Sequence, residues 1–189
     1  GEAFGPGGAG WLRLSYAAPM AALEEAVRRS GIAWTILRPN SFFQNQHMYR
    51  QAILEHGVYP EPMGTIGVHR IDVRDIAEVA GRLFLSDNHR HIGQFHTLNN
   101  GHDLMRYSDV AALMTEVLGE NIVHDGSKEA FFNAYAHMGD RGERLWSFFE
   151  YEKANEVVWA RNDFVERTIG RKPITLGEWL REHGEQLLA

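Results

Sequence analysis

The sequence predicts an α/β fold in which helices cover a parallel sheet. Short β-rich runs alternate with helical patterns over the first two thirds of the chain, and this alternation is typical of parallel strands. A helix-to-strand junction lies within residues 30–45, where Gly31 ends a helix and residues 34–37 follow as a strand. The last third is nearly all helical, which predicts a small subdomain over the strand ends.

The elements of the first half follow from their start and stop signals. Residues 1–14 are expected to form a Gly-rich loop or a disordered end. The first helix runs to about Arg29, and Arg38-Pro39-Asn40 is expected to break the strand that follows it. Residues 41–55 form a helix or a partly helical arm that ends at Gly57, and the prolines and glycines of residues 58–67 predict a loop with room for a short strand.

The second half continues the alternation. Residues 68–71 and 94–98 are predicted strands, with a helix between them that begins near Asp72. Asn99-Asn100-Gly101 predicts a turn, and Ser108 is expected to cap a helix over residues 109–118 before a short strand at 122–124. Three helices are predicted after that, at residues 128–137, at 144–159 and, capped by Thr175, at 176–188.

The composition excludes several classes of protein. With 189 residues, of which 44% are hydrophobic, the chain is one domain or most of one. A net charge of −6 argues against a nucleic-acid partner. The absence of cysteine excludes disulfides and thiolate metal sites and fits a cytoplasmic location. No apolar run is long enough to span a membrane, and no helical His-x-x-x-His pair with an acidic partner predicts a metal site.

Four segments resemble the NmrA-like branch of the atypical short-chain dehydrogenase/reductases. In chain order they are Ser30-Gly31-x-x-Trp34-Thr35-Ile36-Leu37-Arg38-Pro39, Ile71-Asp72-Val73-Arg74-Asp75-Ile76-Ala77, Gly93-Gln94-Phe95-His96-Thr97-Leu98 and Gly170-Arg171-Lys172-Pro173. The resemblance extends from about Tyr16 to the end of the chain and implies the C-terminal portion only of that family's domain. The implied fold is a partial Rossmann-like (NmrA-type) parallel sheet over residues 15–125, including the substrate-side strand tips, and a helical lid subdomain over residues 126–189.

The resemblance implies an NAD(P)H-dependent reductase of an aromatic or quinone-like small molecule, with NADP or NAD as cofactor. The phosphate-binding loop of such domains is expected to be absent from this chain. Gly5-Pro6-Gly7-Gly8-Ala9-Gly10 formally matches G-x-G-x-x-G, but only Gly1 to Phe4 precede it and the next helix begins late. The match is therefore interpreted as a decoy, although Arg38 would suit a 2′-phosphate.

Two other functions stay open at this point. One is a non-catalytic NAD(P)-sensing regulatory protein, and the other is a truncated form that binds no cofactor. A half sheet exposes an unpaired edge, so a homo-oligomer contact or a complementing chain is expected to cover it. No nucleic-acid or membrane partner is expected.

The resemblance also places candidate binding residues at the tip of the strand at 34–37. Pro39 and Asn40 are expected to contact the cofactor, while Phe42, Phe43 and Asn45 line the substrate side. Apolar walls with a few amides suit a flat aromatic ligand. The alternative is that both phenylalanines are core residues and Asn45 closes a turn.

Tyr16 and His47 are the candidates for proton transfer. Tyr16 stands at the family's catalytic tyrosine position, but Met20 stands where those enzymes carry a lysine that lowers the tyrosine pKa. Met20 cannot supply that charge, and the alternative is that Tyr16 is a half-buried anchor and Met20 a core residue.

Other polar and aromatic groups are expected to be mainly structural. His69 and Arg70 lie near the presumed site, whereas Asp72 and Asp75 are interpreted as helix-start residues that complement free N–H groups and the dipole. The aromatic-rich stretch 131–159 is expected to form the core of the lid, with a substrate wall or an interface as alternatives.

Overall fold

The computed structural model describes residues 20–87, 89–154 and 160–189. The predictions for the Gly-rich segment 1–14, for Tyr16 and for the end of the helix at 155–159 therefore lie outside the described residues. No helix within these ranges is both long and apolar enough to cross a membrane. The helices of the described part are α1 (Met20–Arg29), α2 (Arg50–His56), α3 (Val73–Phe84), α4 (Tyr107–Leu118), α5 (Lys128–Ala134), α6 (Asp140–Ala154), α7 (Phe164–Ile169) and α8 (Leu176–Leu188).

Short 3₁₀ turns at Phe43–Tyr49, His89–His91 and Ala136–Met138 connect some of these helices and strands. The strands are β1 (Thr35–Pro39), β2 (Ser41–Phe42), β3 (Val58–Tyr59), β4 (Val68–Ile71), β5 (Gln94–Leu98), β6 (Leu104–Met105) and β7 (Val123–His124). β1 pairs in parallel with β5, β2 with β4, and β3 with β7, while β6 joins β4 antiparallel. The predicted α/β class with parallel pairing is confirmed.

β1 is longer than predicted, because Arg38 and Pro39 continue the strand rather than break it. The two residues pair with Thr97 and Leu98 of β5, and the strand ends at Asn40, whose N–H donates to the Leu98 carbonyl at 2.9 Å. The Trp34 carbonyl accepts from Gly93 at 2.7 Å at the other end. Since hydrogen-bonded residues alternate along a parallel strand, Pro39 faces the opposite edge, where its missing N–H costs no bond. No strand pairs with that edge in the described part of the chain.

One face of the β1–β5 pair is tied to α1 by Arg38. Its guanidinium Nε donates to Glu24 of α1 at 2.9 Å and the group lies over the Phe95 ring of β5 at 4.1 Å. The ion pair lowers the pKa of Glu24, mainly through the hydrogen bond from Arg38. Arg38 is therefore engaged in holding a helix against the sheet, which accounts for an arginine in this strand without a 2′-phosphate.

The opposite face of the pair forms the smaller of two apolar cores. Leu98 of β5 is fully buried there against α3 and α7. Its other buried members are Ile71, Val79, Val165 and Ile169. This close packing holds the end of β5 in a fixed position relative to α3 and α7.

The larger core lies between α2, α4, α5 and α8. Trp179 of α8 is fully buried in it, as are Phe43 and Phe131. The Phe131 ring lies 5.2 Å from that of Trp146 and 6.1 Å from that of Phe149, so part of the aromatic stretch 131–159 packs as a core. Phe148 and Tyr151 are exposed, and the expectation that the stretch forms a core was wrong for these two residues. Both cores take residues from each side of position 126, and the domain boundary proposed there stays a prediction.

The helix caps agree with the sequence patterns at two helices and differ at a third. Asp72 caps α3 by accepting from the Arg74 N–H at 2.7 Å, and Thr175 forms a capping box with Glu178 at α8. The prediction for Ser108 was wrong. α4 begins earlier, at Tyr107, and Asp109 accepts from the Arg106 N–H at 3.0 Å, because a carboxylate three residues into a helix reaches back to the N-cap backbone.

Asp75 joins α3 to the segment that precedes α8. Its fully buried carboxylate accepts from Arg171 at 2.7 Å and from the Ile174 backbone N–H at 2.8 Å. Sequence reasoning interpreted this residue as a dipole-complementing group, whereas the structure shows a long-range tie.

We expect Asp75→Asn to lower the free energy of unfolding by about 2 kcal/mol or more, because it leaves Arg171 without its buried partner. Urea unfolding measures the change. Glu78→Gln is the matched control, since Glu78 also bonds Arg171 at 2.7 Å but is partly exposed, and its loss should cost under about 1 kcal/mol. Equal effects of the two substitutions would contradict the role given to Asp75.

Candidate functional site

The parallel strands β1 and β5 end side by side, and each is followed by an asparagine. Asn40 follows β1 and is half-buried, whereas Asn99 follows β5 and is fully buried. Their side chains meet, with Asn99 Nδ2 donating to Asn40 Oδ1 at 3.3 Å. This is the edge at which open α/β sheets bind ligands.

Four hydrogen bonds fix the orientation of the Asn99 amide. Its Oδ1 accepts from the backbone N–H groups of Gly101 at 3.1 Å and Asn162 at 3.4 Å. Its Nδ2 donates to the Ala160 carbonyl at 3.2 Å as well as to Asn40. Because backbone groups have fixed donor and acceptor roles, Asn99 must turn its nitrogen toward Asn40.

The orientation of Asn99 in turn fixes that of Asn40. Asn40 Oδ1 faces the Asn99 nitrogen, so the Asn40 amide nitrogen faces away from Asn99. No described side chain or backbone group forms a hydrogen bond with that nitrogen. The tip of β1 therefore presents two N–H donors to a carbonyl oxygen or another acceptor.

The second asparagine of the turn, Asn100, anchors the C-terminal helix. Its Nδ2 donates to Asp103 at 2.7 Å and to the Ile174 carbonyl at 3.1 Å. Asp103 also accepts from the Leu176 N–H at the start of α8 at 2.7 Å. The sequence predicted a turn here, and the structure adds that the turn carries two buried amides that join three parts of the chain.

A cavity of about 300 Å³ lies beside this turn. It is lined by Gly101, Arg161, Asn162, Asp163 and Glu166. The Asn162 amide is itself fixed, since its Nδ2 donates to the Thr97 carbonyl at 3.2 Å. The volume is at the lower end of ordinary ligand sites, enough for one substituted ring.

The structure brings Pro39 and Asn40 to this edge but places the two phenylalanines in the cores. Phe43 is fully buried and packs beside Trp179 at 6.4 Å between ring centroids. Phe42 is half-buried and packs against the smaller core, while Asn45 Nδ2 lies 3.5 Å from Ser41 Oγ. The substrate-binding role of Phe42, Phe43 and Asn45 stays a prediction.

Of the two proton-transfer candidates, His47 alone is described. Its side chain is exposed and its ring meets that of Trp179 edge-on at 5.6 Å. Tyr16 and the Gly5–Gly10 motif lie outside the described residues, as does the side chain of Met20. No group of three or more metal-ligating His, Asp or Glu side chains occurs in the part that the structure describes.

Sequence reasoning missed Asn99, Arg161 and Asn162 as site residues. Asn99 was assigned to a turn. Its position directly after a predicted parallel strand is the one sequence signal that could have indicated a role in the site. Arg161 and Asn162 lie 61 and 62 residues beyond Asn100 in the chain, after the helices α4, α5 and α6, and no local pattern predicts such a contact.

A second polar group is enclosed within the larger core. The Glu61 carboxylate accepts from Tyr49 and, at 3.5 Å, from Tyr135. Tyr59 donates to Gln46 at 2.6 Å in the same region. Burial raises the pKa of Glu61 to about 8, against the hydrogen bond from Tyr49, which lowers it.

Arg70 is the cationic member of this buried group. Its guanidinium donates to the carbonyls of Val68 at 2.8 Å and Met105 at 2.9 Å and lies over the Tyr107 ring at 4.7 Å. Nε and Nη2 of Arg70 and Oε2 of Glu61 have no hydrogen-bond partner within the described structure. Burying such groups costs stability unless they are paired, so the core around them is sensitive to charge.

The fold is similar to that of several solved structures, among them two reductases. An NADPH-dependent quinone oxidoreductase from Escherichia coli superposes with a TM-score of 0.73 at 23% identity, covering 86% of this chain and 59% of that protein. The Citrobacter triphenylmethane reductase complexed with NADP(H) superposes with a TM-score of 0.71 at 20% identity, covering 86% and 57%. Likeness at this level of identity shows the fold.

Similarity in sequence agrees with the structural comparison. The NAD(P)H azoreductase of Xenophilus azovorans is 35% identical over 167 residues, which cover 85% of this chain and 56% of that protein. An uncharacterised oxidoreductase of Bacillus subtilis is 27% identical over 169 residues, covering 86% and 57%. No family model matches the chain. The chain spans just over half the length of the curated relatives that it matches.

We expect Asn99→Ala to lower the free energy of unfolding by about 1–3 kcal/mol, because it leaves the backbone groups of residues 101, 160 and 162 unpaired. Hydrogen exchange in residues 160–164 should also become faster. Urea unfolding and exchange measured by mass spectrometry test both effects. Asn121→Ala, at an exposed loop position, is the control. Unchanged hydrogen exchange in residues 160–164 of the Asn99→Ala variant would contradict the role of Asn99 in holding this segment.

We expect stability at alkaline pH to depend on Glu61. Its folded pKa of about 8 lies above the reference value of 4.5, so the folded state binds the proton more tightly. The resulting stabilisation is complete below about pH 4.5 and is lost as the pH rises through about 8. Glu61→Gln should therefore reduce the fall in unfolding free energy between about pH 5 and pH 8.5 by a few kcal/mol.

Urea unfolding at the two pH values measures the difference between Glu61→Gln and the unmodified protein. Glu120→Gln, at an exposed position, is the control and should retain the original pH dependence. Identical slopes for Glu61→Gln and the unmodified protein would show that Glu61 does not hold the proton.

Proposed function

We propose that this chain belongs to the NmrA-like family of atypical short-chain dehydrogenase/reductases and supplies the substrate side of an NAD(P)H-dependent reductase. The substrate is an aromatic or quinone-like small molecule. The observation that carries the proposal is the oriented Asn40 amide at the joint ends of two parallel strands. The names of the similar proteins support it, since they include an azoreductase, a quinone oxidoreductase and a triphenylmethane reductase.

The described residues fit the nicotinamide end of such a cofactor. Asn40 offers N–H donors to a carboxamide or substrate oxygen, and Pro39 offers no donor and a flat apolar ring beside it. The cofactor, NADP or NAD, supplies the hydride when bound. Residues for its phosphates would come from outside the described part of this chain.

The role of Asn40 is to orient a carbonyl oxygen, which places a flat acceptor at a defined angle. Asn99 keeps the Asn40 donors pointing toward the ligand. His47 is exposed and is our candidate to supply the proton that accompanies reduction of a quinone or azo group. In this proposal Phe42 and Asn45 line the substrate side of the site, and the buried Phe43 packs beneath them.

The second candidate is a non-catalytic NAD(P)-sensing regulatory protein. The observation that favours it is Met20, which cannot lower the pKa of Tyr16 as a lysine would. A truncated form without cofactor binding is the third. The open edge of β1 supports a further part of the proposal, that a homo-oligomer contact or a complementing chain covers it. A cytoplasmic location also stays a proposal.

Titration of the protein with NADPH, followed by nicotinamide fluorescence, separates these functions. Binding together with loss of NADPH absorbance on adding a quinone or an azo dye supports the reductase. Binding without oxidation favours the sensor. Absence of binding favours the third function.

We expect Asn40→Asp to weaken NADPH binding or to raise the KM for the quinone about tenfold or more, because a carboxylate accepts hydrogen bonds and repels carbonyl oxygens. Asn133→Asp adds the same charge at an exposed position on α5 and should have no effect. Unchanged affinity and KM in Asn40→Asp would refute the role of Asn40.

A further inference from the structure

The cavity beside the strand tips contains an arginine whose charge the described residues leave unbalanced. Arg38 and Arg171 are paired with Glu24 and Asp75, whereas Arg161 is exposed to solvent at the cavity. Arg161 lines the cavity, but no described residue forms an ion pair or a hydrogen bond with its side chain. An unpaired guanidinium in a concave site is a recognition group for anions.

The backbone on both sides of Arg161 is held in place by Asn99. The Ala160 carbonyl accepts from Asn99 Nδ2 at 3.2 Å, and the Asn162 N–H donates to Asn99 Oδ1 at 3.4 Å. Asn162 is bound a second time, to the Thr97 carbonyl at 3.2 Å. The same buried amide that orients Asn40 therefore fixes the backbone from which the Arg161 side chain extends, which reduces the backbone entropy lost when a ligand binds there.

The two carboxylates of the cavity are engaged with other partners. Asp163 bonds Arg167 at 3.1 Å, and Glu166 lies 3.3 Å from His102. Neither of them forms an ion pair with Arg161 in the described structure. The N–H donors of the Arg161 guanidinium are therefore available to a ligand.

We propose that this cavity is a subsite for a carboxylate or sulfonate substituent of the aromatic substrate, with Arg161 as its counter-ion. The proposal rests on the proposed reductase function for the substrate class, whereas the anion site itself rests on the cavity. A guanidinium binds two oxygens of such a group through parallel N–H donors. A volume of about 300 Å³ accepts one substituted ring, and Asn40 lies within the same hydrogen-bond network, which joins the anion subsite to the strand tip.

A matched pair of azo dyes tests the subsite directly. One dye carries a sulfonate on its phenyl ring, and the other carries an uncharged sulfonamide at the same position. Calorimetric titration at low salt should show that the unmodified protein binds the sulfonate about tenfold more tightly. Arg161→Gln should remove this preference, and Arg161→Lys should keep only part of it because lysine lacks the planar fork.

Arg29→Gln is the matched control. Arg29 lies exposed on α1 and pairs with Glu25, so its substitution removes the same charge without touching the cavity and should leave the tenfold preference intact. Arg161 makes no described contact, so Arg161→Gln should retain the unfolding temperature of the unmodified protein.

Several outcomes would overturn the subsite. They are equal affinity of the unmodified protein for the two dyes, no binding of the sulfonate dye, and a loss in Arg161→Gln that is the same for both dyes. Turnover assays separate this from the proposed function. Dye reduction without an anion preference would leave the reductase standing and refute the subsite, whereas an Arg161-dependent preference without NADPH oxidation would do the reverse.

Discussion

The side chain of Asn99 is the constraint on which the candidate site depends. It is fully buried, and its hydrogen bonds reach Asn40 after β1, Gly101 in its own turn, and the backbone at residues 160 and 162. A buried amide that satisfies both its donor and its acceptor atoms is rigid, because any rotation would leave several groups unpaired at a cost of about 1–3 kcal/mol each. The oriented amide of Asn40 and the position of Arg161 both follow from this one network.

The larger core imposes a different constraint, because it contains charge. Glu61 and Arg70 are enclosed among tyrosines rather than paired with each other. Such an arrangement stabilises the fold only while Glu61 holds its proton. Because burial raises the pKa of Glu61 to about 8, ionisation of its carboxyl group at alkaline pH is expected to destabilise this core.

Much of the fold could be predicted from the sequence, because its signals are local. Gly31 after α1, Asp72 before α3 and Thr175 before α8 each mark a helix end by their own chemistry. The prediction that Pro39 ends the strand was wrong, because proline is tolerated where its nitrogen faces an unpaired edge. Only the pairing of β1 with β5 on the other side shows that Pro39 is in such a position. The candidate site was predicted in part. Asn40 follows directly from its place after a strand, whereas Arg161 comes to the cavity through a contact between distant segments, and a single sequence carries no signal of such a contact.

Pro39 has a consequence for whatever strand lies beside β1. A neighbour can bond to the backbone of Thr35 and Leu37, but it meets no N–H donor at Pro39. A strand paired along this edge would therefore lack one hydrogen bond beside the tip, so its pairing with β1 would be weakest next to Asn40.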